Sequence, residues 1–210
     1  MAELVLLRHG RTDWNAVRRI QGQSDSQLDE VGHAQAEAVA PVLAALQPEA
    51  LWSSDSARAV STAEYLAKAC DLVPSYDARL REYSLGHREG LHHHEYEAHA
   101  PEEYAEFVRA NWDAVPGAEK HAAVADRMSS VLGEIAGSVT SDGVALVVSH
   151  GAAIRTACAA LLGWPPEQAL SLHGMDNCGW AVVRRRTADG PWRLHAYNRT
   201  VPVSTDTPAG

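Results

Sequence analysis

The sequence predicts an α/β protein, a three-layer α/β/α arrangement with a mostly parallel central sheet and a small helical cap insertion. Three observations carry that expectation. Leu4 to Leu7 is an uninterrupted aliphatic run near the start of the chain, the pattern of a strand buried on both faces inside a parallel sheet. Val144 to Ser149 is a second such run, and both end in His-Gly, at His9-Gly10 and His150-Gly151. Between the two, apolar residues recur at helical intervals. If the two strands lie side by side and parallel, His9 and His150 project from one sheet edge. That is the carboxyl edge, where open α/β sheets place their ligands.

In chain order, the first strand stops at Arg8-His9-Gly10, where glycine lets the backbone turn sharply and approach a ligand. Residues 11 to 30 are polar and rich in Gln, Asp and Ser, as in a loop returning over the sheet edge. A helix then opens at Asp29-Glu30-Val31-Gly32, with Val31, Ala38, Val42 and Leu46 expected on one face. Pro41 should kink it and Pro48 stop it. Leu51 to Ser54 is a short strand. Ser54 or Asp55 is expected to cap the following helix, which places Ala59, Ala63, Leu66 and Cys70 together. Leu72 to Tyr76 is a third candidate strand.

Residues 77 to 120 break the alternation with His92, His93 and His94, five glutamates (Glu95, Glu97, Glu102, Glu103, Glu106) and the aromatics Tyr96, Tyr104, Phe107 and Trp112. They read as one or two helices outside the sheet. If the glutamates overhang the site, they should favour ligands with a neutral, sugar-like remote end over ligands whose remote end is strongly anionic. Val124, Met128, Val131 and Ile135 restore a helix. Asp142-Gly143 turns into the second His-Gly strand, and Ala152 to Leu162 is helical up to Gly163 and Pro165. Trp180–Arg186 and Trp192–Asn198, around Asp189-Gly190, form a hairpin. Met175-Asp176-Asn177 either lines the pocket mouth or makes a turn before it. The expected organisation is a single domain over residues 1–200, with the cap at about 84–120, and a flexible tail over 201–210.

Bulk composition narrows the function. The chain has 210 residues, 46% hydrophobic and 21% charged, which suits one domain. Its net charge of −9 argues against a nucleic-acid partner, which needs a basic face. Cys70, Cys158 and Cys178 are odd in number and widely spaced, the pattern of reduced thiols in a cytoplasmic protein rather than a disulfide framework. No signal peptide or membrane span is expected. His92-His93-His94-Glu95 is a weak metal motif, because helix neighbours lie at i+3 and i+4. No metal and no cofactor are expected.

Arg58 stands out on physical grounds. It falls in the first turn of its helix, where the macrodipole disfavours a cation by roughly 0.3–1 kcal/mol, and a bound anion would reverse that penalty.

Arg8-His9-Gly10-x-Thr12-x-x-Asn15, with the later Ser149-His150-Gly151, resembles the histidine phosphatase superfamily, the phosphoglycerate-mutase-like proteins. The match runs from residue 4 to about residue 185. The family's pocket arginine sits in a Ser-x-x-x-Arg-Ala context, here Ser54 to Ala59, which falls on Arg58. Its acid/base carboxylate follows a Leu-x-Glu context, which falls on Glu82; Asp77 and Glu89 are weaker candidates. Asn15, Gln21 and Gly22 border the phosphate pocket by the same resemblance. Two cap stretches depart from the family, Gly86-His87-Arg88-Glu89-Gly90 and Pro116-Gly117-Ala118-Glu119-Lys120.

The chemistry expected is metal-independent hydrolysis of a phosphomonoester. His9 would attack phosphorus and hold it as a phosphohistidine, its other nitrogen bonded to a backbone carbonyl. Arg8, Arg58 and His150 would bind the phosphoryl oxygens, the helix end at Gly151 would add free N–H groups, and Glu82 would protonate the leaving oxygen. The ligand is a small phosphorylated metabolite. The chain is similar to family members acting on glucosyl-3-phosphoglycerate in Gln21-Gly22-Gln23 and Gly174-Met175-Asp176-Asn177. A phosphoglycerate mutase is the alternative within the class, disfavoured by the chain length and short polar tail. A non-catalytic phosphate-binding or scaffold protein is the alternative outside it, and a homodimer is compatible with either.

Overall fold

Side chains alternate along the first strand, β1 (Ala2–Arg8), and that alternation sorts the molecule into layers. Leu4 and Leu6 enter one core cluster, Val5 and Leu7 the other. β4 (Val144–Ser149) divides likewise, with Ala145 and Val147 on one side and Leu146 and Val148 on the other. Strands buried on both faces need apolar residues at every position, which accounts for the two unbroken runs. The computed structural model describes residues 2–187 and 190–203.

With β2 (Ala50–Ser53), β3 (Ser75–Tyr76), β5 (Trp180–Arg185) and β6 (Arg193–Arg199), these strands make a six-stranded sheet in the order β3-β2-β4-β1-β5-β6. The first four are parallel; β5 runs antiparallel to β1 and β6 antiparallel to β5. β1 and β4 are neighbours with Arg8 opposite Ser149, so His9 and His150 leave the sheet side by side. One face is covered by α2 (Glu30–Ala44) and α3 (Ala57–Cys70), the other by α6 (His121–Ser138) and α7 (Gly151–Leu162).

Several elements differ from expectation. β3 is two residues long rather than five, because Asp71 caps α3 in the left-handed region (φ 54°) and Pro74 has no N–H for the ladder. The buried face of α2 is Gly32, Ala36, Val39, Ala40 and Leu43; Val42 and Leu46 are 42% and 40% exposed. Val31, Ala38, Val42 and Leu46 fit the helical period equally well. The alanine and glycine positions win because they let α2 approach the sheet and the loop after β1. Pro41 lies in the last turn of α2, which ends at Ala44, before Pro48. The N-cap of α3 is Ser56, not Ser54 or Asp55, and its side chain makes no cap bond. Asp25 instead accepts from the Ala57 N–H at 2.9 Å, while Asp55 pairs with Arg81.

The loop after β1 contains a one-turn helix, α1 (Asp13–Ala16), closed by a reciprocal capping box between Thr12 and Asn15. The outlying segment holds α4 (His93–His99) and α5 (Pro101–Val108) with three short 3₁₀ turns. A short α8 (Pro166–Ala169) follows α7. Asp189 of the terminal hairpin and residues 204–210 of the expected tail lie outside the described residues. Val201, expected in that tail, packs against the core between α2, α3 and the sheet. No helix among the described residues is long and apolar enough to cross a membrane.

Candidate active site

A cavity of about 300 Å³ opens at the carboxyl edge of β1 and β4, lined by Arg8, His9, Asn15, Gln21, Gly22, Arg58, Glu82 and Gly151 among others. Eight sequence-predicted residues therefore meet in one place. His150, the ninth, is fully buried behind them and does not line the cavity. Its ring lies 5.2 Å from that of His9, at 60°.

His9 is fixed by its backbone surroundings. Its Nδ1 lies 2.7 Å from the carbonyl oxygen of Gly10. A carbonyl can only accept, so Nδ1 carries the proton and Nε2 the lone pair. The Gly10 N–H donates to Thr62 Oγ1 at 3.0 Å, and Asn177 Nδ2 donates to the His9 carbonyl at 3.1 Å. Burial, and then the guanidinium groups of Arg58 and Arg8, hold the His9 imidazole well below its ordinary value. His150 is lowered by burial and then by Arg58 and His9. Both rings are thereby neutral at pH 7. Ser54 Oγ lies 2.9 Å from His150 Nε2.

Arg58 is 1% exposed and is not the solvated arginine its helix position could suggest. Its terminal nitrogens donate to the carbonyls of Ser24 and Gly22, each at 2.7 Å. Burial pulls its guanidinium down to about 10, against the opposing pull of Glu82. Arg8 donates to the Met175 carbonyl, so of Met175-Asp176-Asn177 the first residue lines the cavity and the last braces His9. Three nitrogens at this site, Arg8 Nε, Arg58 Nε and His150 Nδ1, are buried without a hydrogen-bond partner. Buried donors are costly to leave unpaired, and an anion held between Arg8 and Arg58 would satisfy the two guanidinium nitrogens.

Glu82 sits at the start of α7. Its Oε1 accepts from the Tyr83 and Ala153 N–H groups at 3.0 and 2.9 Å, and its Oε2 from Ala152 at 3.0 Å. This revises the expected use of that helix end: two of its N–H groups serve the carboxylate, and the Gly151 N–H makes neither contact. With two lone-pair positions per oxygen, Oε2 is the one left able to carry a proton. Asp77 and Glu89 are committed elsewhere, Asp77 to Arg79 and Glu89 to Gln23, Ser24 and Leu85.

The glutamates of the outlying segment do not overhang the cavity. Glu95 accepts from the His92 N–H, Glu103 pairs with Arg88, Glu106 pairs with Arg109, and none of the five lines the site. The lining there is Arg19, His93, Phe107, Trp112 and, from α7, Arg155. Tyr96 is buried in the core rather than facing ligand. The expected acidic lid is therefore a cationic and aromatic wall. Sequence reading missed Arg19, Arg155 and Thr62; the one available signal was Arg155 standing four residues after Gly151, on the same helix face. His92 and His94 stack on each other, His93 turns to Tyr104, and among the described residues no cluster of His, Cys, Asp or Glu is arranged to hold a metal ion.

The family model described as histidine phosphatase superfamily (branch 1) matches residues 4–200. A glucosyl-3-phosphoglycerate phosphatase of Mycolicibacterium vanbaalenii is 39% identical over 219 residues, covering 97% of each chain. A metal-independent phosphoserine phosphatase of Arabidopsis thaliana is 40% identical over 211 residues, covering 98% of this chain and 84% of its own. Among solved structures, a mycobacterial glucosyl-3-phosphoglycerate phosphatase in complex with VO3 superposes with a TM-score of 0.87 at 38% identity, covering 94% of this chain and 99% of that one.

Proposed function

The chain belongs to the histidine phosphatase superfamily and is a phosphatase; we propose that it hydrolyses a small phosphomonoester by passing the phosphoryl group through His9, without a metal. The observation that carries this is the bond from His9 Nδ1 to the Gly10 carbonyl at 2.7 Å, in a ring kept neutral by burial and by Arg58 and Arg8. It leaves the Nε2 lone pair as nucleophile. Nε2 attacks phosphorus, the P–O ester bond breaks, and Glu82 Oε2 gives its proton to the leaving oxygen. Water then attacks the phosphohistidine, Glu82 takes the proton, and inorganic phosphate leaves.

Negative charge on the phosphoryl oxygens is met by donors already in place. Arg8 and Arg58 supply the side-chain contacts, and the Gly151 N–H a backbone one. His150 adds Nδ1–H when the Ser54 hydroxyl donates to its Nε2. Carbonyls of Gly22 and Ser24 orient Arg58, which is the part we assign to Gly22; Asn15 and Gln21 border the same space.

The relatives support glucosyl-3-phosphoglycerate, or a related sugar phosphate, as the substrate. Free thiols at Cys70, Cys158 and Cys178 support a reducing, cytoplasmic setting. Light scattering on the purified chain decides whether it is a homodimer. Rapid quench with 32P-labelled substrate tests the mechanism: the label on the protein is expected to be acid-labile, base-stable and absent from His9→Ala. Acid-stable label would overturn it. Release of inorganic phosphate, rather than transfer of label to a second hydroxyl of the product, separates hydrolysis from mutase action.

A further inference from the structure

Glu82 is held by more than the helix end it touches. We propose that the Tyr83 hydroxyl is a positioning group for the general acid: bonded to Thr156 on α7 and to His121 on α6, it fixes the peptide against which the Glu82 carboxylate is clasped. The proposal deepens the phosphatase reading and rests on it, because it concerns the acid of that reaction.

The carboxylate folds back onto its own chain. Glu82 Oε1 accepts from the Tyr83 N–H at 3.0 Å as well as from the Ala153 N–H at 2.9 Å, so moving the 82–83 peptide moves the oxygen it holds. That peptide is anchored at its carbonyl, where the Glu82 oxygen accepts from Gln23 Nε2 at 3.0 Å and from Arg127 Nη2 at 3.1 Å. A peptide plane held at its oxygen alone can still turn about that contact. The Tyr83 side chain supplies the second fixed point. It is buried, and its hydroxyl lies 2.7 Å from Thr156 Oγ1 and 3.2 Å from His121 Nδ1. Its ring meets the Trp112 ring of the outlying segment at 69°, with centroids 4.5 Å apart.

Core packing alone does not account for the hydroxyl. A phenylalanine would bury the same ring without a polar atom to satisfy. One hydroxyl donates a single hydrogen bond and accepts others, so it can serve Thr156 and His121 together. Burial raises the phenol above its ordinary value, which keeps it a donor. Thr156 stands three residues after Ala153 on α7, one turn on along the same face. The helix therefore grips residue 82 through first-turn N–H groups and residue 83 through a side chain in the next turn. Arg8 and Arg58, which bind the phosphoryl group, are braced separately, by Met175 and by Ser24 and Gly22. General acid catalysis needs the donor oxygen within hydrogen-bond reach of its target, so a small drift of Glu82 falls on proton transfer before it falls on phosphate binding.

The test compares Tyr83→Phe, Thr156→Val and Thr156→Ser with the parent on two kinds of ester. One is the faster-hydrolysed of glycerol 3-phosphate and 3-phosphoglycerate, whose alkoxide leaving group needs a proton; the other is p-nitrophenyl phosphate, whose phenolate does not. Tyr83→Phe and Thr156→Val are each expected to lower kcat on the alkyl ester by about tenfold or more and on the aryl ester by less than about threefold, with KM nearly unchanged. Thr156→Ser keeps the hydroxyl and should recover most of the parent rate. The double variant Tyr83→Phe/Thr156→Val should lose no more than the worse single, since both changes break one bond. Equal losses on both esters, or no loss on the alkyl ester, overturn the positioning role. Amide hydrogen exchange read by NMR follows the clasp without turnover: the Ala152 and Ala153 N–H groups should exchange faster in Tyr83→Phe, while those of β1 and β4 keep their rates. Unchanged exchange at Ala152 and Ala153 overturns the role, and faster exchange throughout marks Tyr83 as structural only and overturns it equally. If the parent releases phosphate from none of these esters, the phosphatase reading fails, and the exchange rates alone decide whether Tyr83 holds Glu82 in place.

Discussion

Glu82 Oε2 holds one backbone N–H and, in the proposed reaction, one mobile proton, so replacing it separates holding from donating. Glu82→Gln keeps an oxygen for Tyr83 and Ala153 but turns an amide N–H₂ toward the Ala152 N–H. Stability should fall by about 1–3 kcal/mol, the cost of one unsatisfied buried donor. Activity should fall unequally. Substrates with poor leaving groups should lose about 10²–10⁴-fold, activated aryl phosphates far less; an equal loss would mark Glu82 as structural only. His9 gives a second test. Its pKa is depressed in the folded state and near 6.5 in the unfolded chain. Above about pH 6.5 neither state binds the proton; below it the unfolded state does and the folded does not, so stability falls as pH falls. Urea midpoints should drop between pH 7.5 and 5.5, and drop less in His9→Ala; equal drops would refute the depressed pKa. His9, His150, Arg58 and Glu82 were legible because short local motifs place them. Arg19 was not, since a lone arginine reads the same whether it faces solvent or a cavity, and Arg155 was marked only by its place four residues after Gly151.

At the next scale, the loop carrying His9 rests directly on the start of α2. A Cβ on Gly10 would lie 2.6 Å from the Gly32 carbonyl oxygen, and one on Gly32 would collide with the backbone of Arg11. Nothing there can rotate away, because both neighbours are main chain. Gly32→Ala is expected to cost about 1–3 kcal/mol or more as overpacking and to lower kcat by moving His9. Thermal unfolding alongside turnover checks it, and an unchanged melting temperature would contradict the contact. The same closeness explains why helical periodicity chose the wrong face of α2: period alone does not reveal that the nearest neighbour is backbone. The cap repeats the lesson. Its two departures from the family pattern touch each other, buried Arg88 donating to the Pro116 carbonyl and Gly86 lying against Gly117. Such a pairing of segments nearly thirty residues apart carries no local signature.

Across the whole molecule, layer order and strand direction were legible because unbroken apolar runs occur only where both sheet faces are covered. The sign of charge over the site was not. Glutamates dominate residues 95–106 in sequence, yet three of them turn to partners within their own segment, to His92, to Arg88 and to Arg109, while arginines from distant elements supply the wall. Glu89 joins these scales. It accepts from the Gln23 N–H and the Ser24 hydroxyl on one side and from the Leu85 N–H on the other, and its side chain fills the space a Cβ on Gly22 would need. The carbonyls of Gly22 and Ser24 in turn orient Arg58. For protein engineering, the outlying segment is therefore not a free module. A cap grafted from a relative would carry its own specificity across intact only if residues 22–24 were transplanted with it, because the graft junction runs through the phosphate clamp.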